Sequence, residues 1–279
     1  MISIHNLNYR YSRKKSLFNG LSLTMRAGSI YGLLGKNGAG KSTLMKTMIG
    51  LLFPTQGTCF VNDFEPRKRE STLLEQLFFI PEEFQLPPVS IDRFIQIYAP
   101  FYPSFKQSDF ESYLKEFAMD TNHRFDQLSF GQKKKIFIAF GLATNTRLLV
   151  MDEPTNGLDI PSKVQFRKIM SQASRPDKLI LLSTHQVRDL DDLITSVIIM
   201  DNSQILLHQE KEQIVQRLGF YPVAEQKDQI LYEEETPNGR IALCKRQDDR
   251  PTYIDLEILF NATLTNPELI SSVFKQNKI

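Results

Sequence analysis

Cysteine is nearly absent from this sequence. Only Cys59 and Cys244 occur among 279 residues, and no CxxC pair or Cys/His spacing accompanies them. A disulfide framework is therefore excluded, and a structural zinc site is disfavoured. So few cysteines are typical of a reducing compartment, so we expect the chain to be cytoplasmic.

Long apolar runs are also missing. The longest apolar stretch, IFIAFGLA at residues 136–143, is far shorter than the ~18 residues that a membrane-spanning helix needs. The first fifteen residues, MISIHNLNYRYSRKK, lack the apolar centre of a secretory signal. We therefore expect a protein that is not itself a channel.

A strong charge of either sign is the third feature that the sequence lacks. Its formal net charge of +2 is too close to zero to indicate a nucleic-acid surface. We interpret the short basic runs at residues 67–69 and 133–135 as solvated faces, not as phosphate-binding patches. No nucleic-acid partner is expected. Residues with apolar side chains make up 41% of the chain, which is ordinary for a globular protein with a buried core.

Strand-like and helix-like segments alternate along most of the chain. Apolar residues at positions 2, 4 and 7 predict N-terminal strands, and apolar spacing after residue 41 predicts a helix. Repeated strand–helix–strand units imply a mostly parallel sheet that is covered by helices. The buried strands are predicted at SIYGLL (29–34), RLLVMD (147–152), KLILLST (178–184) and SVIIMD (196–201).

A helical insertion interrupts this alternation at about residues 84–130. Aromatic residues are dense there, and SIDRFIQIYAPFY and SDFESYLKEFAMD have the apolar spacing of two amphipathic helices. Ser90 is a plausible start for the first helix. Ser108 and Glu111 have the spacing of a capping box at the start of the second.

The pattern changes again after residue 211. QILYEE and RIALCK flank Pro237-Asn238-Gly239, which predicts a hairpin. Asn266 and Pro267 predict the N-cap and first position of a final helix. We therefore divide the chain into residues 1–211 and a small α+β accessory domain of residues 212–279.

GKNGAGKST, residues 35–43, follows a predicted strand and precedes a predicted helix, as the pattern G-x-x-x-x-G-K-[ST] requires. Backbone N–H groups of such a loop point at an anion, and glycines let the backbone approach it closely. Lys41 would supply positive charge to the β- and γ-phosphates, and Ser42 a hydroxyl to Mg²⁺. The predicted nucleotide contacts are Gly35, Asn37, Gly38, Gly40, Lys41, Ser42 and Thr43.

LLVMDEPTNGLD, residues 148–159, places two carboxylates at the carboxyl end of a buried strand, where open α/β sheets bind ligands. Asp152 is the candidate Mg²⁺ ligand through water, and Glu153 is the candidate base for an attacking water. The alternative is a solvent-exposed acidic turn. His185 follows another strand of the same sheet, so we favour a contact to the γ-phosphate or to that water over a purely structural role.

In this order the motifs resemble the nucleotide-binding subunit of ABC transporters, over about residues 2–210. GKNGAGKST resembles Walker A, LLVMDE Walker B, NGLD the D-loop and STH the switch-histidine loop. LSFGQ at residues 128–132 resembles the family signature, usually LSGGQ. The resemblance implies an α/β P-loop NTPase core, with a mostly parallel sheet and an antiparallel N-terminal β part. It also implies ATP and Mg²⁺ as cofactors, and catalytic roles for Lys41, Glu153 and His185.

The resemblance further implies that two ATPase subunits face each other head to tail, and that each signature turn caps the ATP held by the other subunit. Residues 129, 131 and 132 would then contact the partner's nucleotide, and Asp159 would act across the dimer. Tyr11 occupies the place of the aromatic residue that stacks on adenine, with Tyr9 as the alternative. The residues of the signature turn to which the resemblance gives the contact with the partner's nucleotide are Ser129, Gly131 and Gln132.

Two positions depart from the family pattern. Phe130 replaces the first glycine of the signature, so closure of the dimer can differ while activity survives. Glu82 stands at the position of the Q-loop glutamine; it can still meet Mg²⁺ or water through oxygen, but it cannot donate as an amide does. The PEE sequence at residues 81–83 is more similar to export or ABC-2-type systems than to importers.

The leading hypothesis is an ATP hydrolase that powers a separate integral-membrane permease from the inner face of the cell membrane. It would work as a homodimer or with a second ABC ATPase. A soluble ABC-type ATPase acting on ribosomes or DNA is the alternative, although neither a second ATPase domain nor a long heptad run is visible. A regulator that binds nucleotide without hydrolysis is supported only by Phe130 and Glu82.

Overall fold

The computed structural model describes residues 1–12, 15–223, 229–237, 239–246 and 252–275. The chain divides into two compact units. The first holds residues 1–30 and 42–184, and the second holds residues 31–41 and 185–279. The predicted division at residue 211 stays a prediction.

An antiparallel sheet of three strands forms the N-terminal part of the first unit. Its order is β2-β1-β4. Ile2, Ile4 and Leu7 are fully buried along the first strand, which confirms the face predicted from their spacing. The strands are β1 (Ile2–Ser12), β2 (Lys15–Met25) and β4 (Gln56–Val61).

Parallel strands form the core of the first unit, in the order β5-β6-β7. Every residue of the second and third of these strands is buried, which explains why they read as continuous apolar runs. Helices connect the strands. The elements are α1 (Lys41–Met48), β5 (Leu77–Ile80), α5 (Phe130–Ala143), β6 (Leu148–Asp152), α6 (Ile160–Ala173) and β7 (Leu179–Thr184).

The helical insertion forms as predicted, with one correction at a helix start. It contains α3 (Ile91–Tyr98) and α4 (Gln107–Glu116), after a short α2 (Ser71–Leu74). Ser90 caps α3 by accepting a hydrogen bond from the backbone N–H of Arg93 at 3.2 Å.

The capping box predicted at Ser108 is wrong, because Ser108 lies inside α4. Lys106 is the N-cap, and its backbone N–H donates to the carbonyl of Ala143 at 3.0 Å. This contact with the end of α5 lies at the start of α4. The start of the helix therefore depends on tertiary packing and does not follow from the local sequence pattern.

The second unit contains two groups of strands. In the first group, β3 (Ile30–Leu34) pairs in parallel with β8 (Ser196–Asp201), and β9 (Gln204–Glu210) pairs antiparallel with β8. The second group is an antiparallel sheet of order β10-β12-β11. Its elements follow α7 (Lys211–Arg217) and are β10 (Leu218–Pro222), β11 (Ile230–Thr236) and β12 (Gly239–Lys245).

The predicted hairpin and final helix are both present in the second unit. Thr236 faces Gly239 where β11 turns into β12, while Asn238 lies outside the described residues. α9 (Pro267–Phe274) begins at its proline with Asn266 as N-cap. The helix before it, α8 (Leu256–Thr265), is one that the sequence analysis missed; Asp255 caps it by accepting hydrogen bonds from two backbone N–H groups.

The fold is therefore mixed α/β, with a mostly parallel sheet and separate antiparallel sheets, as predicted. Both cysteines are buried free thiols, and burial raises the pKa of Cys59 to about 12. Within the described ranges, no helix combines the length and the apolar character needed to cross a membrane.

Candidate nucleotide-binding site

The phosphate loop runs between the end of β3 and the start of α1. Gly38 and Gly40 have φ angles of +83° and +104°, which side chains with a Cβ rarely adopt. Gly35 is required for a different reason, since a Cβ there would lie 2.5 Å from the carbonyl oxygen of Met200. The glycines of the motif are thus explained by backbone geometry and by close packing.

Lys41 folds back over this loop. Its Nζ donates to the carbonyl of Gly35 at 2.7 Å and to that of Lys36 at 3.3 Å, and its side chain is buried. Asn37 and Gly38 are exposed at the loop tip. A lysine held in this way keeps its charge close to the backbone N–H groups of the loop, where an anion would bind.

The two tyrosines of β1 have different environments. Tyr9 is buried and packs near Phe18, and burial raises its pKa. Tyr11 is 57% exposed, and its hydroxyl shares a hydrogen bond with the side chain of Thr43 in α1. The exposed ring is the one that is available for stacking, which supports Tyr11 over Tyr9 as the adenine contact.

The acidic end of β6 is held by the neighbouring strand. Asp152 is buried and accepts a hydrogen bond from the Ser183 hydroxyl at 2.5 Å. The backbone N–H of Glu153 donates to the Ser183 carbonyl at 3.2 Å and to its hydroxyl at 3.1 Å. Ser183 thus holds both carboxylate residues at the end of β6. The sequence pattern does not indicate this role of Ser183, although Ser183 stands in the LLSTH segment, two residues before His185.

Glu153 has a φ of +46°, in the left-handed region, and its side chain is buried. A residue with a side chain rarely adopts this backbone conformation unless its surroundings impose it, and such positions cluster at functional sites. The turn after it closes where Asn156 N–H donates to the Glu153 carbonyl at 3.2 Å. His185 follows the last residue of β7 and is exposed.

The signature turn is the N-terminus of α5. Ser129 Oγ accepts from the Gln132 backbone N–H at 3.3 Å, and the Ser129 backbone N–H donates to Gln132 Oε1 at 2.9 Å. This reciprocal capping box fixes the turn while Ser129, Phe130 and Gln132 stay exposed. The partial positive charge of the helix start is therefore presented at the surface.

The turn after β6 lies directly against this signature turn. A Cβ on Gly131 would lie 2.9 Å from the carbonyl oxygen of Gly157, so only glycine fits there without a shift. Asp159 ends the same segment as the N-cap of α6, and hydrogen bonds from Ser162 hold the pKa of its carboxyl below the usual value. Glu82 is near as well; its Oε1 accepts from Asn156 Nδ2 at 3.0 Å.

The interpretation of residues 133–135 as a solvated basic face is wrong for Lys134. Its side chain is fully buried, and its Nζ donates to the carbonyls of Glu153 at 2.7 Å and Asn156 at 2.8 Å. Burial lowers the pKa of Lys134 to about 8, against the opposing effect of the carboxylates of Glu82, Glu153 and Asp152.

No group of three or more His, Cys, Asp or Glu side chains within the described residues could hold a metal ion by itself. The donors at hand are one strand-end carboxylate, at Asp152, and the hydroxyl of Ser42. This set fits Mg²⁺, which proteins commonly hold through one or two carboxylates together with the phosphates of a substrate.

Comparison with known proteins identifies the family. The family model for ABC transporters matches residues 18–156. ABC transporter ATP-binding protein NatA of Bacillus subtilis is 30% identical over 216 residues, which cover 74% of this chain and 88% of NatA. The methionine import ATP-binding protein MetN of Carboxydothermus hydrogenoformans is 27% identical over 296 residues, covering 100% of this chain and 86% of MetN.

A solved structure has the same fold. It is the dimeric structure of an ATP-binding cassette in a post-hydrolysis state, bound to ADP and Pi. It matches with a TM-score of 0.64 at 20% identity and covers 75% of this chain and 98% of its own. The chain belongs to the ATP-binding subunits of ABC transporters, which are ATPases coupled to transport.

Proposed function

We propose that this chain powers a separate integral-membrane permease by ATP-driven, head-to-tail dimerisation at the inner face of the cell membrane. The observation that carries the dimer is the exposed capping box at Ser129. It presents a rigid helix start, with its hydroxyl and backbone N–H groups, at the surface of the first unit. Such a helix start binds phosphate, so a nucleotide on a second ATPase is a fitting ligand.

Within one subunit we assign the phosphates to the loop of residues 35–43. Lys41 and the loop N–H groups would bind them, and the exposed ring of Tyr11 would stack on the base. Ser42 and Asp152 would hold Mg²⁺, with Glu82 as a further candidate oxygen ligand. When bound, Mg²⁺ neutralises charge on the phosphates.

Two residues are assigned to the water that attacks the γ-phosphate. Glu153 would orient this water and accept its proton, and His185 would hydrogen-bond to the water or to the γ-phosphate. The signature turn and Asp159 would complete the site of the other subunit, which is a second copy of this chain or a related ATPase. The residues of the turn that are assigned to that role are Ser129, Gly131 and Gln132.

An apolar groove in the first unit is the surface that we assign to the permease. Its volume is about 630 Å³, and its lining includes residues that follow α1, side chains of α3 and the segment of residues 85–87. Leu51 and Phe101 are 48% and 64% exposed and line the same groove, and exposed apolar side chains that are grouped in one patch mark an interaction site. We propose export as the direction, on the PEE sequence at residues 81–83, although several relatives, such as MetN, are named for import.

Co-purification from the native cell tests whether the chain binds a membrane permease. The tagged chain is recovered from membranes in mild detergent, and its companions are identified. A polytopic membrane protein in near-stoichiometric amount is expected, and its loss is expected when Leu51 and Phe101 are both changed to Ser. Recovery from the cytosol alone, or with ribosomes or DNA, would instead support the soluble alternative.

The dimer is tested with the Glu153→Gln variant, which keeps the shape of the side chain but cannot accept the proton. With ATP and Mg²⁺ this 32.2 kDa chain is expected to elute as a dimer and to hydrolyse ATP at least about a hundredfold more slowly than wild type. Adding Ser129→Arg is expected to restore the monomer. A turnover rate of Glu153→Gln equal to that of wild type would contradict the mechanism. A dimer that persists after Ser129→Arg is added would contradict it as well.

A further inference from the structure

Lys134 is a buried cation beside the turn that contains Glu153. It has no role in the function proposed above. It stands on α5, five residues after Ser129, between Lys133 and Lys135. Those two neighbours are partly exposed, whereas the side chain of Lys134 is fully buried. Burying an ammonium group is costly unless it is well hydrogen-bonded, so this position is an exception to how lysines are used.

Within the part of the chain that the structure describes, the Nζ of Lys134 donates its hydrogen bonds to a single turn and lies over one aromatic ring. Its Nζ donates to the carbonyls of Glu153 and Asn156, at 2.7 and 2.8 Å. The ring of Phe130, one turn earlier on the same helix, lies 5.7 Å from the same nitrogen. A single cation therefore holds both ends of the turn that follows β6.

That turn contains the candidate base in a strained backbone conformation. Glu153 has a φ of +46°, and Asn156 closes the turn by donating back to the Glu153 carbonyl. A strained residue persists only where its surroundings determine it from several sides. On one side Ser183 accepts from the Glu153 N–H, and on the other side Lys134 donates to its carbonyl.

The same turn is also held on its outer side. Asn156 Nδ2 donates to Glu82, and the Gly157 carbonyl packs against Gly131 of the signature turn. Lys134 thus occupies the centre of a cluster that joins three segments of the first unit: the residues around Glu82, the start of α5 and the turn after β6.

We infer that Lys134 is a positioning residue for ATP hydrolysis: by donating to the Glu153 and Asn156 carbonyls it fixes the direction in which the Glu153 carboxylate leaves the strand. The inference rests on the proposed function, because it takes Glu153 as the base. It adds that the start of α5 acts on the site of its own subunit, as well as on the nucleotide of the other subunit.

The test compares two variants with a matched control. Lys134→Met keeps the length of the side chain but donates no hydrogen bond, and Lys134→Gln keeps an N–H donor without the charge. Lys133→Met removes a lysine from the neighbouring, partly exposed position. ATP hydrolysis is measured on the full chain, in the complex in which it is purified from membranes.

Lys134→Met is expected to lower kcat about tenfold to a hundredfold, since small misplacements of a catalytic group have effects of this size, while KM for ATP changes little. Lys134→Gln is expected to recover most of this loss, and Lys133→Met to match wild type. Equal kcat values in Lys134→Met and Lys133→Met would overturn the inference. If Lys134→Met does not fold, the Gln variant decides: a folded Gln variant without activity overturns the inference.

Amide hydrogen exchange separates this inference from the proposed function. Exchange of the backbone amides of residues 153 and 155–157 is expected to be at least about tenfold faster in Lys134→Met than in Lys133→Met, because the turn loses two of its hydrogen bonds. Exchange that does not change would overturn the positioning role even if the enzyme is active. If exchange is faster in Lys134→Met but even the wild-type chain hydrolyses no ATP, the assigned reaction is refuted and the positioning role of Lys134 is not.

Discussion

The ring of Phe84 stacks on the ring of Phe130, with centroids 5.4 Å apart and an angle of 29° between their planes. Phe130 stands where the family signature usually has glycine, so this contact exists only because of that replacement. It ties the segment after β5 to the start of α5. Phe130 also lies 5.7 Å from the Nζ of Lys134, which makes the aromatic ring part of the environment of the turn that contains Glu153.

The energy of this stack can be measured with a double-mutant cycle. Phe84→Ala, Phe130→Ala and the double variant are compared by urea unfolding, and a coupling of about 0.5–1.5 kcal/mol is expected for an aromatic pair. As a control, Phe130 is paired with Phe105, which packs on Phe110 and Phe140 instead, and near-additive changes are expected. The same coupling in both cycles would argue against a direct stack.

Tyr11 is predicted to bind the adenine base through its ring. In the Glu153→Gln background, Tyr11→Ala should weaken ATP binding about fivefold or more, since a base stacked on an aromatic ring contributes ~1–3 kcal/mol. Tyr11→Phe keeps the ring but loses the hydrogen bond to Thr43, so its affinity should stay near that of Tyr11. Titration calorimetry provides the measurement. Weak binding by the Phe variant would show that the hydroxyl contact matters more than the ring.

Lys178, directly before β7, is a further buried lysine, and here burial is expected to cost stability. Its side chain is 2% exposed, and its Nζ has no hydrogen-bond partner among the described residues. Lys178→Met keeps the apolar stem and removes the unsatisfied cation. We expect the free energy of unfolding at pH 7 to rise by about 1–3 kcal/mol. Lys115→Met, on the exposed face of α4, is the control and should change it little.

The advantage of Lys178→Met should depend on pH. Burial lowers the pKa of Lys178 to about 8, with a smaller effect of Arg175 in the same direction and opposing effects of Asp177 and Asp109. Its unfolded value is near 10.5. Between these values the unfolded chain binds more protons than the folded chain, so the stability of wild type rises with pH.

The difference between Lys178→Met and wild type should therefore be largest below pH 8 and shrink between pH 8 and 10.5. Lys134 titrates in both proteins and cancels in the comparison. Urea unfolding of both proteins at pH 7.5 and 9.5 measures the effect. A difference that is constant with pH would mean that the pKa of Lys178 is the same in the folded and the unfolded chain.

Much of this protein follows from short segments of its sequence. The strands of the parallel sheet are apolar runs because both of their faces are buried. The phosphate loop can be recognised from a short segment because its strand, glycines, lysine and helix follow one another directly in the sequence. The reciprocal cap at Ser129 is local in the same way, as its partner stands three residues away. In these features, residues that are close in the structure are also close in the sequence. The sequence by itself therefore determined the fold class, the candidate motifs and the family that they resemble.

Tertiary packing decided the rest. Lys134 looked like one of three solvated lysines, and only its packing against the turn of Glu153, nineteen residues away in sequence, buries it. Ser183 became part of the site because β7 pairs with β6, and Tyr9 and Tyr11 differ only in what covers them. The start of α4 was set by a carbonyl at the end of α5. Each of these depends on residues that are distant in sequence and close in space, and a local pattern carries no information about such neighbours.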